Sequence, residues 1–387
     1  MGLLSLTMNL KTTFLALLLA AHASAQDLPN VLGTPAAASK EEWLKTQRPK
    51  TLELFKENIF GRDPIGKPEN LSFKIIEEDP TAMDGMATLR IVEISFSGAG
   101  GDGKFKLIAF IPNKAKKPAP GYLLICNRDR ENIDPTRKKK DDFWPAETIV
   151  SRGYVAATFH NSELSTDSNL NFDNGVHKVF DQYPGKRPGD AWATIAGWAW
   201  GASRVLDYFE STPDVDASKI AVIGHSRGGK TSLWAGATDQ RFALTISNNS
   251  GCTGAALARR RKGELVARIN KSFPHWFCGN YKKYNDKENT LPVDQHQLIA
   301  LIAPRAVYVA SASKDAWADP EGEFLAAVHA EPVYQLFGLK GLGTKTMPAN
   351  DSPLQSGSIG YHVRSGKHDL TEYDWEQYLN FGDIHLK

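Results

Sequence analysis

The sequence predicts an α/β fold: a three-layer sandwich with helices on both faces of a mostly parallel central sheet. Three observations lead there. From Gly121 onward, short apolar runs alternate with helical patterns, the order that βαβ units require. Before that point, three β-favouring runs follow one another with short connections, so the sheet begins antiparallel. The third is local. Lys219 to Lys230 reads KIAVIGHSRGGK, a buried strand, a tight turn and the start of a helix in immediate succession.

In chain order, residues 26–39 carry Pro29, Gly33 and Pro35 and read as an arm. Residues 41–58 are helical in character, with Trp43, Leu44, Leu52, Leu54 and Phe55 as apolar contacts and an interruption expected at Pro49. Strands are expected over 71–78, 88–96 and 104–111, the last two joined by the turn-rich 98–103. Further strands are expected over 122–126, 154–159, 220–223, 244–247, 307–312 and 360–364. Helices are expected to end near 147–153 and to cover 190–209, 231–237 and 298–303. The 190–209 segment is amphipathic and holds Trp192, Trp198 and Trp200. There is no internal repeat, and the runs at 137–140 and 259–262 are most simply solvated basic surface.

With 387 residues, 41% hydrophobic and 23% charged, the composition is that of an ordinary globular protein. A net charge of +2 gives no support for a nucleic-acid partner. Residues 1–25 read as a signal peptide. Lys11 precedes an apolar run over 14–21, and Ala23-Ser24-Ala25 fits a cleavage site that leaves Gln26 first; Met8 is an alternative start. The run is too short to span a bilayer. The mature part, 26–387, is expected to be one exported catalytic domain, periplasmic or secreted, with no membrane contact after cleavage, and a monomer. Cys126, Cys252 and Cys278 are odd in number, so at least one thiol stays unpaired. A Cys252–Cys278 disulfide and three buried free thiols are both compatible with the sequence. Neither a metal-ligand spacing nor a cofactor motif is present.

Chemistry concentrates at Gly224-His225-Ser226-Arg227-Gly228, a G-x-S-x-G between strand and helix, the nucleophile elbow of α/β-hydrolases. A serine hydroxyl is a weak nucleophile near neutral pH and needs a base, which in turn needs an orienting acid. In this fold the chain order is serine, acid, histidine. Asp315 directly follows the strand at 307–312 and is the first choice of acid; Asp319, before Pro320, is the rival. After Asp315 come His329, His362, His368 and His385. His362 falls inside a strand, whereas His368 sits in the loop just beyond it, so position selects His368 as base. His225 is expected to pack or shape the turn. Arg227 either donates to a developing oxyanion, beside backbone N–H groups, or is a surface arginine paired with a carboxylate.

These residues resemble a family. Gly224-His225-Ser226-Arg227-Gly228-Gly229-Lys230 is similar to the G-x-S-R-x-G-K signature of the glucuronoyl esterases, carbohydrate esterase family 15, closest to its bacterial members. The likeness continues through Ser247-Asn248-Asn249-Ser250-Gly251-Cys252, Phe273-Pro274-His275-Trp276-Phe277, Leu291-Pro292-Val293-Asp294-Gln295-His296 and Asp315-Ala316-Trp317-Ala318-Asp319-Pro320, and ends with His368-Asp369-Leu370-Thr371. It implies an α/β-hydrolase that cleaves the ester between (4-O-methyl-)glucuronic acid groups of glucuronoxylan and lignin alcohols, without cofactor or metal. It implies Ser226 as nucleophile, His368 as base and Arg227 as oxyanion donor. Lys230 and Trp317 are implied as sugar contacts, with Glu264 a further one. One departure stands out. Many members carry the acid as Glu at the position of Asn249; an amide cannot be a charged orienter, so the duty passes to Asp315.

Two other readings remain open at this stage. One is an acetyl-xylan or other carbohydrate esterase on the same fold. The other is a carbohydrate-binding member that has lost its chemistry through Asn249.

Overall fold

The computed structural model describes residues 28–116, 118–168 and 172–387. The expected signal peptide at 1–25 lies outside the described residues. Nine strands form one sheet: β1 (Ser72–Asp79), β2 (Ala87–Gly98), β3 (Gly101–Pro112), β4 (Ala119–Cys126), β5 (Val155–His160), β6 (Val215–His225), β7 (Leu244–Asn248), β8 (Ala306–Ala312) and β9 (Ile359–Arg364). Their order is β1-β2-β3-β5-β4-β6-β7-β8-β9. The expected antiparallel start is present: β1–β2, β2–β3 and β3–β5 are antiparallel, and every later pairing is parallel.

The parallel strands are covered on both sides, as their continuous apolar sequences demand. Alternate residues feed two cores. Leu123 and Ile125 of β4, Val222 of β6 and Val307 and Val309 of β8 face one cluster with Trp198, Leu206 and Leu298. Tyr122 and Leu124, Ala221 and Ile223, and Tyr308 and Ala310 face the other, with Trp144, Trp375 and Tyr378. At the far edge β1 is mostly exposed.

Four helical expectations change. Pro49 does not interrupt: the chain is helical from Lys40 to Phe60 in α and π segments. Pro49 sits where the π segment Trp43–Gln47 passes into the α segment Arg48–Phe55, and the wider π turn takes up a residue without an N–H inside the helical run. The helix expected from Asp190 begins at Thr194, because Asp190 O accepts from Arg62 N and Trp192 N donates to Arg62 O. Trp192 therefore precedes the helix. The helix expected at 298–303 runs over Gln295–Ala300 and starts at a capping box of Asp294 with Gln297. The long helices Pro320–Leu336 and Glu372–His385 were not expected at all. Cys126, Cys252 and Cys278 are buried and free, so no Cys252–Cys278 disulfide forms. Among the described residues no helix is long and apolar enough to cross a membrane.

Candidate active site

Because β6, β7, β8 and β9 are parallel neighbours, the loops beyond their carboxyl ends gather at one edge of the sheet. Ser226 follows β6, Asn249 follows β7, Asp315 lies beyond β8 and His368 beyond β9. Residues far apart in the chain thus meet by topology alone.

Ser226 caps the helix Arg227–Thr238 with φ 57° and ψ −122°, a conformation that side-chain-bearing residues rarely adopt. Its own N–H donates to Asn248 O at 2.9 Å. The turn is this tight because Gly224 packs on the helix: a Cβ there would lie 2.0 Å from Gly228 O. The first helical N–H groups, those of Arg227 and Gly228, have no intrahelical acceptor, as at any helix start, and directly follow Ser226 in the chain.

His368 Nδ1 donates to Asp315 Oδ2 at 2.6 Å. Two backbone bonds between the loops, Ser313 N to Arg364 O and Lys314 N to Gly366 O, bring these side chains together. Asp315 is buried, while the His368 side chain is 40% exposed. With Nδ1 as donor, Nε2 is left with its lone pair, the state a general base needs. The rival acid Asp319 is occupied elsewhere: it precedes the helix Pro320–Leu336 and accepts Arg260 Nε at 2.9 Å. His362 is buried in β9 and bonded to Asp374 at 2.9 Å; His329 lies near His296, and His385 contacts Gly357 O.

His225 shapes the turn, as expected. Its ring lies 4.5 Å from that of His368. Nδ1 donates to Asn248 Oδ1 at 2.6 Å, and the Asn248 amide donates in turn to Tyr378 Oη at 2.7 Å. Burial, with His368 adding to it, pushes the His225 pKa well below the usual histidine range, so it is neutral.

Arg227 is paired: Nη1 donates to Asp167 Oδ2 at 2.5 Å. Asp167 Oδ1 accepts from His275 Nε2 at 2.8 Å and Trp276 Nε1 at 2.7 Å. Sequence reasoning missed Asp167, because no local pattern links it to the elbow.

Lys230 and Glu264 form a buried ion pair, Nζ to Oε2 at 2.9 Å. Nζ also donates to Ser250 O at 2.7 Å and Cys252 O at 2.5 Å, so all three of its protons have partners within the protein. Trp317 lies alongside, 50% exposed as a residue, with the Arg268 guanidinium 5.8 Å from the ring centre. Its carbonyl accepts from Glu264 N at 2.8 Å, which locks the two segments together. Gly263 permits this approach: a Cβ there would meet Trp317 O at 2.3 Å.

Asn249 is buried, and neither end of its amide has a partner among the described residues. A second carboxyl lies close by and was also missed. Glu323, inside the helix Pro320–Leu336, accepts from Ser250 N at 2.8 Å, Gly251 N at 2.9 Å and Ser311 Oγ at 2.7 Å. Burial, reinforced by neighbouring Asp315, outweighs these bonds and pushes its pKa up to about 8. A carboxyl raised in the folded state stabilises the fold fully below its unfolded value of 4.5 and loses that contribution as pH rises towards 8. Thermal unfolding followed from pH 5 to pH 8.5 is therefore expected to show a fall in Tm a few degrees steeper in the parent than in Glu323→Gln. Parallel curves would show that Glu323 is already ionised at pH 5.

A hydroxyl at a strained turn, a histidine held by a buried carboxylate, free N–H groups and a guanidinium make an acyl-transfer site. A family model described as "Glucuronyl esterase, fungi" matches residues 143–338. The chain is 42% identical over 382 residues to the carbohydrate esterase MZ0003 of an unknown prokaryotic organism, covering 92% of this chain and 87% of that one. Among solved structures, the glucuronoyl esterase from Solibacter usitatus superposes with a TM-score of 0.87 at 40% identity, over 93% of this chain and 98% of that one. A promiscuous CE15 esterase from the marine bacterial metagenome gives 0.82 at 41% identity, over 92% and 96%. With that identity spread over nearly its full length, the chain belongs to the glucuronoyl esterases, carbohydrate esterase family 15.

Proposed function

We propose that this protein hydrolyses the ester between (4-O-methyl-)glucuronic acid groups of glucuronoxylan and the alcohols of lignin. The observation that carries the mechanism is the 2.6 Å bond between His368 and Asp315, with the His368 ring against the residue preceding Ser226. Ser226 attacks the carbonyl and His368 takes its proton. The N–H groups at the start of the helix Arg227–Thr238, with Arg227, hold the oxyanion. His368 then protonates the departing alcohol, and water cleaves the glucuronoyl-enzyme by the same route. Trp317 offers an exposed aromatic face to the sugar ring, and the Lys230–Glu264 pair lies beside it.

A lapsed, binding-only member was a reading based on Asn249. The contact between Asp315 and His368 supports an acid in place of Asn249 and so favours the enzyme. The leader-like segment at 1–25 supports export, to the periplasm or beyond.

Hydrolysis of a benzyl glucuronate ester, measured beside Ser226→Ala, tests the proposal. Turnover by the parent, reduced by at least about 10⁴-fold in the variant, is the expected result. A folded parent that cleaves acetylated xylosides but not the uronate ester would replace this reading with that of an acetyl esterase.

A further inference from the structure

We propose that Asp167 is a positioning residue for the esterase reaction, fixing both the aim and the effective charge of Arg227. The proposal rests on Ser226 as nucleophile and Arg227 as oxyanion donor.

Arg227 begins the helix behind the nucleophile, on a long flexible side chain that is partly exposed. Unrestrained, such a side chain samples many rotamers. Here one end of the guanidinium is held by Asp167. The Nε–H is buried and has no hydrogen-bond partner among the described residues. A buried donor without an acceptor is costly, so the bond to Asp167 is what holds the group in this pose. The rest of the guanidinium, on a side chain that is partly exposed, is left to donate to the carbonyl oxygen as it becomes an oxyanion.

Asp167 is itself fixed. His275 and Trp276 both donate to Oδ1, which leaves Oδ2 for Arg227. The Trp276 ring also lies 5.2 Å from the Arg227 guanidinium and so backs the pair. Burial works against ionisation of Asp167, but the bond from His275 and the charge of Arg227 outweigh it and keep the pKa below the usual carboxylate range.

The pairing has a chemical consequence. The substrate is a neutral ester, whereas the acid product is a carboxylate. An unpaired arginine beside the nucleophile would hold that product. Arg227 neutralised by Asp167 still donates to an oxyanion but attracts the released uronate less.

The test compares the parent, Asp167→Asn, Arg227→Gln and the double variant on benzyl glucuronate, with inhibition by free glucuronate measured for each. Asp167→Asn is expected to lower kcat by roughly tenfold, leave KM within about twofold, and tighten glucuronate inhibition several-fold. Arg227→Gln is expected to lower kcat by about 10²-fold. The double variant should be no worse than Arg227→Gln, because Asp167 acts through Arg227. Parent-like kcat and inhibition in Asp167→Asn, or losses that multiply in the double variant, would overturn the proposal. Should Asp167→Asn fail to fold, Trp276→Phe removes one donor to Oδ1 and carries the same test, with a smaller loss that disappears in the Arg227→Gln background. A parent inactive on the uronate ester would sink the substrate assignment alone. The same four proteins assayed on 4-nitrophenyl acetate would still decide whether the Asp167 and Arg227 effects are non-additive.

Discussion

Asp315→Asn is expected to lower kcat on benzyl glucuronate by about 10⁴-fold while leaving KM and Tm close to those of the parent. The carboxylate does two things at 2.6 Å: it fixes the Nδ1–H tautomer of His368 and stabilises the imidazolium that forms when Ser226 gives up its proton. An asparagine fills the same space, but it has no charge and can present an N–H that favours the wrong tautomer. The effect belongs in kcat because the bond matters most once the ring is protonated. Asp319→Asn is the comparison, since Asp319 serves Arg260 and not His368; its losses should appear in stability. Turnover within tenfold of the parent in Asp315→Asn would remove Asp315 as the acid.

Lys230→Met is expected to destabilise the protein by about 3–5 kcal/mol, read as a lower denaturant midpoint. The magnitude comes from what remains behind. Glu264 would keep a buried carboxylate without its cation, and Ser250 O and Cys252 O would lose their donor. The loop after β7 would loosen with them. Adding Glu264→Gln to Lys230→Met should recover a large part of the loss, because no charge is then stranded. A double variant as unstable as the sum of the single changes would show that the two groups do not act as a pair.

The elbow was legible because everything it needs is contiguous: the apolar β6, glycines at 224 and 228, and a helix directly behind Ser226. Asp315 and His368 were legible for a related reason. Each sits just past a strand, and parallel neighbours place such loops side by side. Asp167 had no such marker. Its partners Arg227, His275 and Trp276 are 60 to 109 residues away in the chain and come from separate segments. Glu323 was hidden inside the helix Pro320–Leu336, a stretch where no element was expected. The start at Asp294 was written in the sequence as Asp-x-x-Gln, a capping box that was overlooked. Pro49 misled in the opposite direction, because a π segment directly before it lets the helical run continue through a proline.

The openness of His368 bears on the second half of the reaction. Once the first alcohol has left, the acyl group waits beside a base that stands in contact with bulk solvent. An exposed ring can take a proton from water or from another small hydroxyl compound, and in water the most concentrated acceptor is water itself. In a medium rich in methanol, transesterification is therefore expected beside hydrolysis.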